Sequence, residues 1–456
     1  MSKQTLFDTK MVKKHDRSGP RYTSYPASPF FVDDYPISSV DEALARVGNR
    51  PISLYVHLPF CSALCWFCGC HKSITRDRER IDKYLDDFDK ELEVMTRHLG
   101  RRAVVQQLHW GGGSPSYLDN KQTTRCFQSI QKHFDLDLAG EISIEGDPRQ
   151  LTPARVGFLK DLGFNRLSMG LQDFDPKVQE TINRVQPESM VLPLITAAHD
   201  VGFRSVSVDL IYGLPHQNRK SFDKTLESVM SVRPDRLSVF NYAHIPNMIP
   251  SQRMFNEADL PPAEEKLSIF QMVTETLLSK GYRHIGMDHF ALEEDELTGA
   301  LDRGKLQRNF QGYSTRGDLD LLALGVSAIS YVQGAYWQNT KALKEYRETV
   351  ANGDLPVKKG LTLTADDLVR REVIMTIMCG MGLDFGAIEA NHNVKFSEYF
   401  AEELPQLDDF FADDLLQHQE NGFLVTPAGR FLVRNIARVF DRRLNNSSRN
   451  TFSKVI

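Results

Sequence analysis

The chain has 456 residues, of which 41% are hydrophobic and 25% charged. This length allows two or three domains, and the net charge of −5 excludes a global basic field that would attract nucleic acid. The sequence has no run close to the ~20 apolar residues of a transmembrane helix, and its first residues lack the apolar core of a signal peptide. We therefore expect a cytoplasmic protein without a membrane span or nucleic-acid partner, and no feature demands more than a monomer.

The first 50 residues show no clear periodicity. A basic cluster lies between Lys10 and Arg17, and its simplest interpretation is a solvated arm. The segment Arg21-Tyr-Thr-Ser-Tyr-Pro26 follows, and its arginine could bind an anionic ligand.

From residue 51 onward, predicted strands and amphipathic helices alternate, which indicates βαβ units and a parallel sheet. The predicted strands are 52–58, 104–110, 140–145, 164–170, 204–210 and 235–241. The predicted helices are 78–98, 121–134, 152–162, 175–183, 187–201 and 219–232.

Apolar and polar residues alternate within these strands. In 204–210, for example, Val206 and Val208 alternate with Ser207 and Asp209. A parallel strand buried on both faces would be almost continuously apolar, and a closed eight-stranded barrel fills its interior with branched apolar side chains. The alternation therefore predicts an open barrel of fewer strands, whose interior holds a large polar ligand near the C-terminal strand ends.

The pattern becomes less regular after residue 242. A helix is predicted at 262–280, a glycine-rich apolar segment at 321–329 and a linker at 352–356. Further helices are predicted at 365–378, 406–419 and 428–443, around Gly422-Phe-Leu-Val425. This region is interpreted as a small, mostly helical domain with a packing or lid role.

Four of the six cysteines lie within ten residues, in Cys61-Ser-Ala-Leu-Cys65-Trp-Phe-Cys68-Gly-Cys70. Structural zinc sites usually take two ligand pairs that are far apart in the sequence, whereas a single loop of thiols suits an iron–sulfur cluster. Zinc and a disulfide remain the alternatives. Cys126 and Cys379 lie alone in helical patterns, as buried cysteines commonly do.

A second motif, Trp110-Gly-Gly-Gly-Ser-Pro115, follows the second strand. It lacks the lysine of a P-loop. Consecutive glycines expose the backbone, whose amides and carbonyls could bind a zwitterion, although a tight turn would explain them equally well.

Together, the spacing Cys-x3-Cys-x2-Cys after the first strand and the glycine-rich loop after the second resemble the radical S-adenosylmethionine enzymes. The resemblance implies a partial (β/α)6 barrel of the TIM type. It also implies that Cys61, Cys65 and Cys68 hold a 4Fe–4S cluster whose fourth iron binds S-adenosylmethionine. Cys70 would not be a ligand.

Further segments resemble one branch of these enzymes, the oxygen-independent coproporphyrinogen III oxidases. They are Tyr55-Val-His-Leu-Pro-Phe-Cys, the extra Cys70, Arg21-Tyr-Thr-Ser-Tyr-Pro, Ile285-Gly-Met-Asp-His-Phe and Arg308-Asn-Phe-Gln-Gly-Tyr-Ser314. The resemblance extends from about residue 15 to residue 456. Departures are Ser114 and Ser116 in place of threonines, Trp66 in place of tyrosine, and Gly146 in place of a larger apolar residue, which could loosen a strand end.

The resemblance also implies a set of cofactor-binding residues and three regions. The residues expected to contact S-adenosylmethionine are Tyr55, Phe67, Gly112, Gly113, Ser114, Glu145, Gln172, Arg184 and Asp209, with Ala243 and Ile329 lining the same region around a possible second molecule. The regions are an N-terminal arm over the active site (1–50), the catalytic barrel (51–355) and the helical C-terminal domain (356–456).

The implied reaction is the anaerobic oxidative decarboxylation of coproporphyrinogen III. A radical made from S-adenosylmethionine removes hydrogen from two propionate side chains, and loss of carbon dioxide leaves the vinyl groups of protoporphyrinogen IX. An unidentified reductant must supply electrons, and Arg21, the basic arm, Lys305 and Arg308 are candidate ligands for the substrate carboxylates. The alternative is a heme-binding chaperone of the same superfamily, although Cys70 and the long arm are unusual for that group.

Overall fold

The computed structural model describes residues 9–15 and 17–445. They form two compact units. The first comprises Phe31–Ile269 and Asp318–Thr362, and the second comprises the described residues of Met1–Phe30, Phe270–Gly317 and Leu363–Ile456. The domain boundaries at residues 50 and 355 stay predictions, and the parts of the predicted arm and C-terminal domain at 1–8, 16 and 446–456 lie outside the described residues.

Six parallel strands form the centre of the first unit. They are β1 (Ile52–Leu58), β2 (Val104–Gly112), β3 (Asp135–Gly146), β4 (Arg166–Gln172), β5 (Ser205–Tyr212) and β6 (Arg236–Asn241). Each strand pairs in parallel with the next one in the chain. The predicted α/β class with a parallel sheet is confirmed.

The sheet continues on the other side of β1. The apolar segment predicted near 321–329 forms the strand Asp320–Leu324, which pairs with β1 in parallel. Antiparallel strands follow at Ile329–Val332, Ala335–Asn339, Val357–Thr362 and Val32–Asp33. A short parallel pair, Phe60–Cys61 with Ser73–Ile74, holds the two ends of the cysteine loop together.

The helices of the first unit lie between these strands in the chain. They are Ile37–Val47, Arg78–Leu99, Asn120–His133, Pro153–Leu162, Pro176–Thr181, Glu188–Asp200, Arg219–Ser231 and Leu343–Ala351. Short 3-10 helices occur at Pro115–Tyr117, Pro148–Gln150, Pro250–Met254 and Glu257–Asp259. Local sequence defines several starts, because Asp119 and Asn218 each form a capping box with the third helical residue. The helix Ala263–Ser279 contains the boundary between the units at residue 270.

The two faces of β1–β6 differ as the alternation predicted. On one face Trp110 packs edge-on against Phe164, with ring centroids 5.1 Å apart, and Phe127 of the following helix completes the aromatic group. On the other face polar side chains bond across strands, as where the Ser53 hydroxyl donates to Gln107 (2.8 Å). Gln107 in turn donates to Glu141 (2.9 Å), so the interior is polar.

The second unit combines helices with short antiparallel strands. Its strands are Tyr282–Gly286 with His289–Leu292, Gln307–Asn309 with Gly312–Ser314, and the three-stranded group Gly382–Asp384, Gly422–Val425 and Leu416–Gln419. Its helices are Thr9–His15, Glu296–Asp302, Ala365–Gly380, Phe385–His392, Phe396–Tyr399, Asp408–Ala412, Val433–Arg438 and Arg442–Asn445, with 3-10 helices at Ser28–Phe30, Leu404–Leu407 and Gly429–Leu432.

Two predictions of a single unbroken helix in this unit are wrong. Within 406–419 the helix ends at Ala412, because Asp414 adopts a left-handed conformation (φ 53°). The chain then forms the strand Leu416–Gln419. The segment 428–443 is broken before Asp441, whose carboxylate accepts from the backbone N–H groups of Arg443 and Leu444 and begins a new helix. No helix among residues 9–15 and 17–445 is long and apolar enough to cross a membrane.

Candidate active site

The carboxyl ends of β1–β5 meet around one cavity in the first unit. Strand register explains the convergence, since Leu58 lies opposite Gly112, and Gly170 opposite Asp209. The cavity is lined by Cys61, Ala63, Cys65, Phe67, Cys68, Cys70, Lys72, Gly112, Gly113, Ser114, Glu145, Gly146, Asp147, Arg149, Ser168, Gly170, Gln172, Arg184 and Asp209.

The four clustered cysteines all reach this cavity as free thiols. Cys65 is buried, whereas Cys70 is the most exposed of the four. A hydrogen bond from Cys70 lowers the pKa of Cys68 to about 6, and the same contact raises the pKa of Cys70. Within the described part of the chain, no three His, Cys, Asp or Glu side chains lie close enough together to hold a single metal ion.

Two arginines converge on the sulfur of Cys65. Arg149 Nη2 lies 3.3 Å from it and Arg184 Nη1 lies 3.4 Å from it. Asp147 links the two guanidiniums, at 2.7 Å from Arg149 and 3.5 Å from Arg184. Burial would raise the pKa of Asp147, but Arg184 and Arg149 outweigh it and hold that pKa below its ordinary value.

The sequence interpretation missed Asp147 and Arg149. They follow directly on the end of β3, where charged residues at a C-terminal strand end could have signalled a site role. Arg184 was predicted as a contact of S-adenosylmethionine. Its side chain is buried at the cavity, and it donates to the carbonyl of Gly170 (2.7 Å).

The glycine-rich loop lies tightly against the end of β1. A Cβ added to Gly113 would lie 2.5 Å from the carbonyl oxygen of Pro59, and one added to Gly112 would lie within 2.9 Å of the His57 ring. Gly112 also has a φ of +117°, which favours glycine. Close packing therefore requires these glycines, and it also places their backbone at the cavity wall.

Tyr55 and His109 lie next to Glu145, which lines the cavity beside this loop. The Tyr55 and His109 rings are stacked with centroids 5.8 Å apart, and His109 Nε2 lies 3.1 Å from Glu145 Oε1. Although burial would raise the pKa of Glu145, the hydrogen bond from His109 lowers it below its ordinary value. Glu145 also accepts from the Gly112 amide (3.3 Å), so an ionised carboxylate faces the cavity.

Two buried polar atoms at the cavity have no hydrogen-bond partner among the described residues. They are Gln172 Oε1 and Arg184 Nε. Gln172 also has a φ of +72°, an uncommon conformation for a residue with a side chain. An unsatisfied acceptor and an unsatisfied donor on the wall of one cavity indicate a polar ligand there.

Most of the predicted cofactor residues come together, but not all. Phe67, Ser114 and Asp209 line the cavity, and Phe67 also packs with Trp66 on a cluster that includes Phe255. Tyr55, Ala243 and Ile329 do not line it. The Ala243 carbonyl accepts from Gln252 (3.1 Å), and Ile329 pairs with Gln338 in an antiparallel strand.

Gly146 lines the cavity, and it remains paired with Met169 as the last residue of β3, so the strand end is not loosened there. A Cβ there would lie 2.9 Å from Leu151 Cδ1 and 3.3 Å from Leu167 Cδ1, both of them ends of flexible side chains. A larger residue would therefore need these leucines to move. The neighbouring leucine side chains occupy the space that a larger residue at this position would fill.

The donor set fits a 4Fe–4S cluster with S-adenosylmethionine. Three thiols on one loop provide soft ligands for iron, and hydrogen bonds to sulfur from Arg149 and Arg184 are of the kind that tune iron–sulfur sites. The unpaired polar atoms, the carboxylate of Glu145 and the exposed backbone at Gly112 offer both donors and acceptors to an amino acid group.

Comparison with known proteins agrees with this site. The family model of the Radical SAM superfamily matches residues 55–229, and that of the HemN C-terminal domain matches residues 363–432. The fold and the cysteine-lined cavity thus define a radical S-adenosylmethionine enzyme, with a 4Fe–4S cluster and S-adenosylmethionine as its cofactors.

Full-length relatives define the branch. Oxygen-independent coproporphyrinogen III oxidase of Salmonella typhimurium is 46% identical, and that of Escherichia coli 45% identical, each with 100% of both chains covered. The solved structure of coproporphyrinogen III oxidase (HemN) from Escherichia coli superposes with a TM-score of 0.91, covering 96% of this chain and 99% of that one at 45% identity. The chain belongs to the oxygen-independent coproporphyrinogen III oxidase family.

Proposed function

We propose that this chain converts coproporphyrinogen III to protoporphyrinogen IX without oxygen, by oxidative decarboxylation of two propionate side chains to vinyl groups. The observation that carries the proposal is the cavity in which three loop cysteines face the polar strand ends of an open parallel sheet. Full-length relatives of the same name support the substrate and reaction.

Cys61, Cys65 and Cys68 would hold the cluster. The glycine-rich loop, Tyr55, Phe67, Glu145, Gln172, Arg184 and Asp209 would hold S-adenosylmethionine. The chemistry that these bound groups supply is a one-electron cleavage able to remove hydrogen from an unactivated carbon. Ala243 and Ile329 are proposed to belong to a further S-adenosylmethionine region.

The chain's own residues would prepare this site electrostatically. Arg149 and Arg184 place two positive charges within 3.4 Å of the Cys65 sulfur, where they would offset the negative charge of a cluster-bound sulfur. Asp147 holds both guanidiniums in that position. Glu145, kept ionised by His109, accepts hydrogen bonds from the ligand side, while the Arg184 guanidinium is suited to a ligand carboxylate.

The remaining proposals concern the cellular setting. We propose a cytoplasmic monomer that receives electrons from a separate reductant, with residues 1–50 as an arm over the active site. The free thiols of Cys61, Cys65 and Cys68 support a reducing compartment, because a cluster requires these three cysteines in the reduced state.

The function is tested by anaerobic turnover. The purified protein should contain about four irons per chain, as the cluster type implies. With S-adenosylmethionine, a reductant and coproporphyrinogen III, it should form protoporphyrinogen IX, measured chromatographically after oxidation to the porphyrin. Tight heme binding with no turnover would contradict the proposal and favour a chaperone. A colourless preparation that contains zinc would contradict the whole assignment.

Gly113→Ala tests the glycine-rich loop. Because the added methyl would lie 2.5 Å from the Pro59 carbonyl, the loop must move away from β1. We expect the affinity for S-adenosylmethionine to fall about tenfold or more, equivalent to a loss of roughly 1.4 kcal/mol. Equilibrium dialysis with labelled S-adenosylmethionine measures this.

Gly157→Ala is the matched control. Gly157 lies in the helix Pro153–Leu162, and a methyl group added there would meet no atom within 4 Å. This change should leave the affinity unaltered and stabilise the helix by up to about 1 kcal/mol. Equal affinities for the two variants would show that packing against Pro59 does not position the loop.

A further inference from the structure

The second unit buries an arginine that forms no ion pair with any described residue. Arg308 lies in the strand Gln307–Asn309 and is only 4% exposed. Its Nε donates to the backbone carbonyl of Arg21 (3.0 Å), and its guanidinium lies 4.7 Å from the centroid of the Tyr313 ring. Neither partner carries a negative charge.

Arg308 Nη1 is buried and has no hydrogen-bond partner in the described part of the chain. Arg308 also forms no ion pair with any residue described. Burying a guanidinium without a counter-ion costs free energy. The planar guanidinium of Arg308, whose Nη1 has no partner among the described residues, is suited to bind a carboxylate or a phosphate. Burial accordingly lowers the pKa of Arg308 below its ordinary value.

Two further arginines lie close to Arg308. Arg21 is ion-paired with Asp288, and Arg434 donates to the carbonyl of Pro20 (3.1 Å). The Asp288 carboxylate also lies 2.8 Å from His289 Nδ1, and its one negative charge acts on Arg21, Arg308 and His289 together. We call Arg21, Arg308 and Arg434 the arginine cluster.

The cluster is accessible through Arg21. The Arg21 side chain is 35% exposed, while that of Asp288 is 10% exposed. An anion that approaches from solvent at Arg21 therefore meets positive charge before it meets the buried carboxylate. Burial lowers the pKa of Arg434 to about 9, and the charges of Arg21 and Arg308 contribute to the lowering.

We infer that the arginine cluster binds one carboxylate of the porphyrinogen, with Arg308 and Arg21 as the groups that contact it. The inference rests on the proposed function, because coproporphyrinogen III carries four propionate carboxylates and a protein of net charge −5 must bind them through local cations. Of the cations predicted from the sequence to bind the substrate carboxylates, Arg308 and Arg21 belong to the arginine cluster. Lys305, another predicted candidate, is exposed.

The test measures binding of coproporphyrin III, the oxidised fluorescent form of the substrate, to the anaerobic holoenzyme. Arg308→Gln should raise the dissociation constant about tenfold or more, as loss of a charge-assisted hydrogen bond predicts. The tetramethyl ester of coproporphyrin III, which has no carboxylates, should bind wild type and Arg308→Gln equally. Iron content and S-adenosylmethionine affinity should be unchanged.

Controls separate the possible causes. Arg303→Gln removes an exposed arginine from the same unit and should not alter coproporphyrin affinity. If Arg308→Gln fails to fold, Arg21→Gln at the partly exposed position provides the same comparison. Displacement of coproporphyrin III by equimolar inorganic phosphate would show a phosphate site and overturn the inference.

Two results distinguish this inference from the proposed function. If wild type turns over coproporphyrinogen III while Arg308→Gln and Arg21→Gln bind coproporphyrin III as tightly as wild type, the arginine cluster is not a carboxylate site and the function stands. If wild type neither binds nor converts the substrate, the proposed function itself is wrong.

Discussion

Replacing Cys65 with serine is expected to abolish cluster assembly and reduce turnover by roughly a thousandfold or more, because a hydroxyl does not replace a thiolate as an iron ligand. Cys65 is buried at the cavity and is the cysteine on which Arg149 and Arg184 converge. Iron and acid-labile sulfide per chain after anaerobic reconstitution, together with the rate of porphyrinogen conversion, measure the effect.

Cys70→Ser is the matched control from the same loop. Cys70 is exposed, and it donates a hydrogen bond to Cys68 that a serine hydroxyl can also donate. We expect this variant to keep its iron and most of its activity. Loss of iron from Cys70→Ser, with iron retained in Cys65→Ser, would mean that the ligands are assigned incorrectly.

Replacing Glu91 with alanine is expected to cost about 3–5 kcal/mol of unfolding free energy, because three buried donors lose their acceptor at once. Glu91 is fully buried in the helix Arg78–Leu99. Its carboxylate accepts from the Gly325 amide (2.7 Å), the Asn339 amide group (2.7 Å) and the Tyr346 hydroxyl (2.6 Å). Urea unfolding followed by circular dichroism measures the loss.

Glu91 should also make the unfolding free energy fall as the pH rises. Burial raises the pKa of Glu91 from its ordinary 4.5 to about 7. As pH rises from 4.5 to 7, the unfolded carboxyl ionises first, so the unfolded state is favoured and stability falls, by about 3 kcal/mol in total. Below pH 4.5 the Glu91 carboxyl is mostly protonated in both states, so this loss of stability is absent.

Glu91→Gln is the control, because an amide of the same shape does not titrate. The difference in unfolding free energy between wild type and Glu91→Gln should change between pH 5 and 7, with wild type losing stability relative to the variant. At a fixed pH, Glu91→Gln should cost less than Glu91→Ala. A difference that is constant across this pH range would show that Glu91 does not titrate on folding.

Glu91 also shows what sequence analysis could have detected. It lies seven residues after Tyr84 and three after Phe88, on the apolar side of an amphipathic helix. A charged residue on that side signals a buried hydrogen-bond network. The identity of its partners was not predictable, since Gly325, Asn339 and Tyr346 follow it by more than 230 residues.

The C-terminal region illustrates a different limit. Its helical periodicity predicted helices over 406–419 and 428–443, yet the first becomes partly a strand paired with Gly422–Val425. Short apolar runs are compatible with helix and strand alike, so tertiary pairing decides between them. The strand 52–58 and the helices at 78–98, 121–134 and 365–378 had stronger local signals and agree with the structure to within two residues.

The sequence by itself determined the cysteine loop, the parallel α/β class and the polar interior, because each depends on spacing or alternation within short stretches of chain. Only the tertiary structure decided which charges reach Cys65, why Gly113 cannot carry a side chain, and where Arg308 is buried. Those properties depend on contacts between residues far apart in the chain. Such contacts arise when strand register brings separate strand ends together and when packing removes particular side chains from water.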